Sequence, residues 1–382
     1  MATVRLTFVS FLKQSNLFGY KALSLRAPYA YVSCLRREFT NVPLEFNDRD
    51  PAPLFFSQNV QNLLKYITRP EVDKVFRKRV NKNERSLAVP QYKFMTDKEL
   101  KDEMDKVTAK VDHLLQMPPV IKINDQVEHE VSYDPALRGH DLARYVFTDI
   151  TFGISNSERF IVIREPDGRL HHADHTMRKK LNQIYFPMPG RTLKEPAMFT
   201  EDAFFQDLLS RKEYTFLLDR ACIQYEPSDP TYQQIVSKVY LNIDETRNYE
   251  YLRSTRHFGP MAFFLAWNNI IDGLVLEILQ NGDIREVVSL INLRQRLHPE
   301  TFDANDSQAL VDQILALRKP ITQGGGGTVD LELDNKCAQC VNRYIQSNST
   351  MKGQQELALQ AYQQIIQQKI KIEEKVREAH GV

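Results

Sequence analysis

The sequence predicts an α+β protein, mainly helical, in which a small antiparallel sheet precedes stacked helical hairpins. Three observations carry this prediction. Glycine is scarce, at 14 of 382 residues, where ordinary usage is roughly 7%, and four of the fourteen form the single run Gly324 to Gly327. One stretch, 145–171, changes to alternating β-branched and aromatic residues. From Thr200 onward, apolar residues recur at three- and four-residue steps between short connections marked by Pro or Gly. A hydrophobic fraction of 42% and a charged fraction of 26% are those of a globular chain and exclude wholesale disorder. The chain divides into a leader (1–39), an extended arm with a short basic helix (40–95), an α+β segment (96–190) and a helical-hairpin domain (191–382).

The leader reads as an address. Residues 1–37 hold six basic residues (Arg5, Lys13, Lys21, Arg26, Arg36, Arg37), six Ser or Thr and no acid. That composition is a mitochondrial transit peptide, and Arg37-Glu38-Phe39-Thr40 has the order of a matrix processing site. The predicted location is the mitochondrial matrix. The leader carries +5 of a total of +1, so the remainder stands at −4. Such a chain does not coat nucleic acid with its whole surface, and any RNA contact is local. The longest uncharged run, Phe258 to Ile271, has 14 residues, short of the roughly 20 that cross a membrane. No membrane association and no small-molecule substrate are expected.

Residues 40–60, rich in Pro and Asn, read as extended. Thr68-Arg69-Pro70-Glu71 reads as a capping box opening a short helix with Val72, Val75, Phe76 and Val80 on its apolar face. Thr96 and Glu99 form a second box, and Leu100, Met104, Val107, Val111 and Leu114 make the apolar face of the helix behind it. Tyr145 to Phe152, Arg159 to Glu165 and Arg169 to His171 read as three strands, with Ile161 and Ile163 on one side and a turn at Pro166-Asp167-Gly168. Asp174 caps a helix with Met177, Leu181 and Ile184 inward and Arg178, Lys179 and Lys180 outward. Helices are then expected over 200–211, 213–226, 229–244, 248–256, 260–280, 283–297, 306–318, 334–347 and 354–379. The last has a modest apolar side of Leu357, Ala361, Ile365 and Ile366.

Signatures of chemistry are weak. Cys337-Ala338-Gln339-Cys340 is a lone CxxC without the second pair that a zinc or iron–sulfur site needs. It reads as two helix cysteines, although a short strand at Leu331 to Leu333 would suit a redox motif. Cys222 is expected on a buried helix face. His171, His172 and His175 are dense, but Asp174 between them is better explained as a cap. No nucleophile elbow, metalloprotease, P-loop or Rossmann pattern is present. No catalytic residue, metal or cofactor is assigned. The basic clusters are the candidate RNA or partner contacts: Lys74, Arg77, Lys78, Arg79 and Lys82; Arg178, Lys179 and Lys180; and Arg253, Arg256 and His257 in Arg253-Ser254-Thr255-Arg256-His257. Forked guanidiniums beside hydroxyls suit phosphate oxygens. The same residues at a helix end equally suit internal salt bridges, with Glu245 or Glu250 as partners.

Ordered blocks then point to a family. Tyr92-Lys93 with Met95-Thr96, Met117 to Val120, Tyr145 to Ile150, Glu158 to Gly168, Tyr185 to Pro187, Leu252 to Gly259, Ile271 to Leu274 and Leu297 to Pro299 resemble the mitochondrial small-ribosomal-subunit protein twenty-two family. The likeness runs in order from about residue 90 to 300, over half the chain. It implies a non-catalytic structural component of the small subunit, touching other mitochondrial ribosomal proteins and, locally, the small-subunit rRNA. The alternative is a free helical adaptor that binds mitochondrial transcripts or protein partners in the matrix.

Overall fold

A computed structural model describes residues 49–76, 92–123, 129–156, 158–299, 305–316 and 331–380. The leader, the basic residues Arg77, Lys78, Arg79 and Lys82, and the Gly324–Gly327 run lie outside them.

The first helices are α1 (Ala52–Phe55) and α2 (Gln58–Ile67). Ser57 is extended and its side chain accepts from the Val60 N–H, which starts α2. Val60, Leu63, Leu64 and Ile67 follow at helical spacing and all are buried. Phe55 meets Phe263 edge to face at 5.2 Å. The described part of 40–60, expected to be extended, is therefore mostly helical, and α1 and α2 are part of the main core. The Asn and Gln that gave this segment its arm-like composition sit on the outer faces of a helix whose inner face is wholly apolar. Thr68 also plays a different part from the one expected. Its hydroxyl donates to the Leu64 carbonyl at 2.7 Å and closes α2. Arg69 then turns left-handed at φ 48°, and α3 (Val72–Val75) begins with no side-chain cap.

Helix α4 (Asp97–Leu114) opens on the predicted capping box, with both halves formed between Thr96 and Glu99. Of its predicted apolar face only Val111 is fully buried, and Leu114 is exposed. The sheet has four strands rather than three: β1 (Glu130–Tyr133), β2 (Tyr145–Thr148), β3 (Ile161–Arg164) and β4 (Arg169–His172), antiparallel in the order β1-β4-β3-β2. The added strand β1 is exposed throughout and breaks register between Glu130 and Ser132, so it lacks the buried alternation that marks β3. Gly168 takes φ 93° in the predicted turn, directly beneath the Asp134 carbonyl, where a Cβ has no room. Asp174 caps α5 (His175–Tyr185) by accepting from the Met177 N–H. Met177 and Leu181 seal Ile161, Ile163 and Ala173. Among the described residues that pair is the apolar cover of these four-residue strands, and Ile184, expected inward, is exposed.

The helical half comprises α6 (Ala197–Thr200), α7 (Asp202–Ser210), α8 (Tyr214–Gln224), α9 (Pro230–Thr246), α10 (Phe258–Trp267), α11 (Asp272–Asn281), α12 (Ile284–Leu297), α13 (Asn305–Ala316), α14 (Leu331–Asn348) and α15 (Lys352–His380). Two expected helices change. The 248–256 helix is a 3-10 turn, Tyr249–Leu252, followed by Ser254 at φ 58°. The 260–280 helix is broken into α10 and α11 at Asn269, which takes φ 57°. The possible strand at Leu331 to Leu333 is the first turn of α14. Helices α10 and α12 are central: α2, α10, α11, α13 and α14 all pack on α12. No helix among the described residues is long and apolar enough to cross a membrane. Helix α15 packs through Gln355, Leu359, Tyr362 and Ile366, leaving the predicted positions Leu357, Ala361 and Ile365 in solvent.

Gly273 shows why the Ile271 to Leu274 block is constrained. A Cβ there would lie 2.5 Å from the Tyr249 hydroxyl and 2.9 Å from Asp244 Oδ1, two groups hydrogen-bonded to each other. Gly273→Ala is expected to cost about 1–3 kcal/mol by overpacking, read as a lowered urea midpoint, and Gly353→Ala, in open space, to cost nothing measurable.

Candidate functional site

The Leu252 to Gly259 block forms a loop between the 3-10 turn and α10. Ser254 holds it to the end of α2: its N–H donates to the Thr68 carbonyl at 3.0 Å, and its hydroxyl donates to the Arg69 carbonyl while accepting from the Glu71 N–H. This places Arg253 between α2, α11 and α12. Its guanidinium donates to the Ile67 carbonyl at 2.6 Å, to Glu286 at 3.1 Å and to Glu277 at 3.3 Å, and it stacks on the Phe258 ring at 4.3 Å. Ile67 ends α2, so Arg253 satisfies a carbonyl that the helix leaves orphaned. Arg69 completes the junction with Glu286 and Asp283. Burial pushes the Glu286 carboxyl up to about 7, against the pull of Arg253 and Arg69.

The other half of the block faces α8. Arg256 donates to Asp219 at 2.6 Å, and His257 Nε2 lies 2.9 Å from the same oxygen. Burial works to raise the Asp219 carboxyl, but His257 and Arg256 outweigh it and hold it low. Burial keeps His257 below the ordinary value of 6.5, against Asp219. A histidine lowered in the fold contributes stability that is fully present above 6.5 and is lost as pH falls through its folded value. The urea midpoint is expected to drop as pH is lowered below 6.5, and His257→Gln to flatten that drop.

The sequence candidates therefore separate. Arg253 and His257, with side chains only 2% exposed, are internal ties and are removed from the contact surface. Their partners are Glu277, Glu286 and Asp219, not Glu245 or Glu250. Arg256 is partly exposed but bound to Asp219. Lys74 is exposed and paired with Glu250 at 2.6 Å and Glu71 at 3.3 Å. Arg178 and Lys179, expected outward, are half-buried. Arg178 donates to the Asn156 carbonyl, and Lys179 pairs with Glu195 at 2.7 Å above the Tyr225 ring. Of the three, Lys180 alone is exposed. Arg77, Lys78, Arg79 and Lys82 fall outside the described residues. The internal acids were within reach of the sequence: Glu286 is a single acid among Ile284, Val287, Val288, Leu290 and Ile291, a place where a carboxylate needs a cation.

Cys337 and Cys340 face the core from α14, and burial pushes the Cys337 thiol up to about 12. A thiol held so high supplies little thiolate at neutral pH. Cys222 is half-buried, its sulfur 3.5 Å from the Tyr232 hydroxyl. His171 lies near Glu165 and His175 near Asp229. Among the described residues no three or more His, Cys, Asp or Glu side chains are grouped to hold a metal ion.

Comparison with known proteins agrees with the ordered blocks. The sequence model of the family described as Mitochondrial 28S ribosomal protein S22 matches residues 53–299, from α1 to just past α12. The protein of Mus musculus named "Small ribosomal subunit protein mS22" is 32% identical over 318 residues, covering 82% of this chain and 80% of that one. Its namesake in Bos taurus is 33% identical over 267 residues, covering 70% and 73%. With the matched region spanning the buried junction, the sheet and the central helices alike, the chain belongs to the mitochondrial 28S ribosomal protein S22 family.

Proposed function

We propose that this chain is a structural component of the small subunit of the mitochondrial ribosome, held in the matrix by contacts with other ribosomal proteins and, locally, with the small-subunit rRNA. The observation that carries this reading is family membership over residues 53–299, from α1 to just past α12. The site's geometry supports it. The most elaborate polar constellation of the block links the chain's own helices. Large apolar side chains stand in solvent instead, among them Phe94, Leu142, Ile150 and Phe152, as befits a chain that meets protein neighbours. The rRNA contacts are assigned to Lys180, Lys74 and the basic run Arg77, Lys78, Arg79 and Lys82. Such contacts position the backbone without reading sequence. Crosslinking in intact mitochondria followed by mass spectrometry tests the reading. Small-subunit proteins and rRNA are the expected products. Crosslinks confined to messenger RNA would overturn it in favour of a free adaptor.

A further inference from the structure

The two edges of the sheet are unlike. β1 carries Glu130 and a break in register, both of which discourage further pairing. Among the described residues β2 pairs with β3 alone, and Tyr145–Thr148 contains no charge, no Pro and no register break. The ladder is fixed by Tyr145 opposite Arg164 through Thr148 opposite Ile161, and continues where the Asp149 N–H donates to the Phe160 carbonyl at 2.9 Å. Bonded and non-bonded pairs alternate in an antiparallel ladder. Tyr145 and Phe147 therefore turn their backbone groups toward β3, and Val146 and Thr148 turn theirs outward.

The surroundings of this edge are apolar and acidic. Helix α5 covers the Ile161 and Ile163 side of the sheet. On the opposite side Tyr145, Phe147 and Phe160 are about half exposed or more. Ile150 and Phe152, just past β2, are at least four-fifths exposed. Asp141 and Asp149 bracket the strand. The Tyr145 hydroxyl keeps the first carboxyl low and the Thr151 hydroxyl the second, so both are anionic. Residues 129–174 contain eight Asp or Glu and five Arg. Three of those arginines are engaged locally: Arg144 with Glu165, Arg169 with Asp167, and Arg159 with backbone carbonyls. This field repels an RNA backbone and attracts a cationic polypeptide.

We propose that the free edge of β2 accepts a fifth strand from another protein of the assembly, an extended segment with alternating apolar side chains and flanking Lys or Arg. The proposal rests on the reading that the chain assembles with other ribosomal proteins. Main-chain bonds to Val146 and Thr148 supply affinity, the aromatic face seats every second side chain, and Asp141 and Asp149 select for positive charge.

The probe is a seven-residue peptide alternating Lys and Val, blocked at both ends, titrated by fluorescence anisotropy into the purified full chain. A Glu–Val counterpart and oligouridine serve as comparisons. The Lys–Val peptide is expected to bind and to slow amide exchange at Val146 and Thr148. Val146→Pro removes an outward donor without touching the β2–β3 ladder, and is expected to weaken binding at least roughly tenfold. Asp141→Lys keeps the edge and reverses its charge, and is expected to weaken binding as well. Four results would each overturn the proposal. They are undiminished binding by Val146→Pro, equal binding of the Glu–Val peptide, preferential binding of oligouridine, and a dimer of the chain itself that Val146→Pro dissolves. The assay needs no ribosome, so its failure is distinct from a failure of the assembly reading.

Discussion

Arg253→Ala is expected to destabilise the folded chain by about 3–5 kcal/mol, the cost of leaving a buried charge without its partner. The substitution strips Glu286 of one of two guanidiniums, leaves the Ile67 carbonyl unpaired and uncovers the Phe258 ring. Arg253→Lys is expected to recover only part of this, because one ammonium cannot reproduce a planar fork that reaches three acceptors and stacks on a ring. Lys74→Ala breaks an exposed pair and is expected to cost less than about 1 kcal/mol. The urea midpoint read by circular dichroism separates the two. If Arg253 served mainly to grip phosphate, its removal would leave the midpoint unchanged and weaken RNA binding instead. Replacing both Arg253 and Glu286 with Met is expected to restore part of the loss, since a buried ion pair exchanged for packed apolar groups is often neutral.

Leu64→Ala is expected to cost about 2–5 kcal/mol, the range for emptying a fully enclosed leucine site. Leu64 is completely buried in α2, among the side chains of the main core. Lys65→Ala, one residue on and exposed, is expected to stay within about 0.5 kcal/mol. The comparison is sharp because the sequence places both residues in a segment, 40–95, that reads as an extended arm with one short basic helix. An arm tolerates Leu64→Ala; a core helix does not. Scanning-calorimetry midpoints of the two variants decide the matter.

The elements legible from sequence are those whose signals are local. Thr96 and Glu99 satisfy each other's backbone three residues apart, and Asp174 caps α5 by the same short-range geometry. Gly168 takes the positive φ its turn needs, and Ile161 and Ile163 alternate because one face of β3 is buried. The signals that misled were resolved by distant partners. Thr68 stands before a Pro-Glu pair and reads as an opening cap, yet the Leu64 carbonyl behind it claims the hydroxyl. Ser254 and Asn269 break apparently continuous helices where the chain must turn to bring Arg253 onto Glu286 and α11 across α12. On α15 both faces hold apolar residues, and only the position of α11 and α14 selects Leu359 and Tyr362 over Leu357 and Ile365. In the candidate site, a guanidinium beside hydroxyls looks the same in sequence whether phosphate or carboxylate lies opposite it. Arg253 is decided by Glu277 and Glu286, which are 24 and 33 residues away.

Sedimentation of a mitochondrial lysate through a sucrose gradient, with and without RNase, tests residence in the small subunit most directly. The chain is expected to travel with the small-subunit peak and to shift toward the top of the gradient when RNase dissolves that peak. A chain found wholly in the light fractions of the untreated lysate, while other small-subunit proteins sediment normally, would contradict the account.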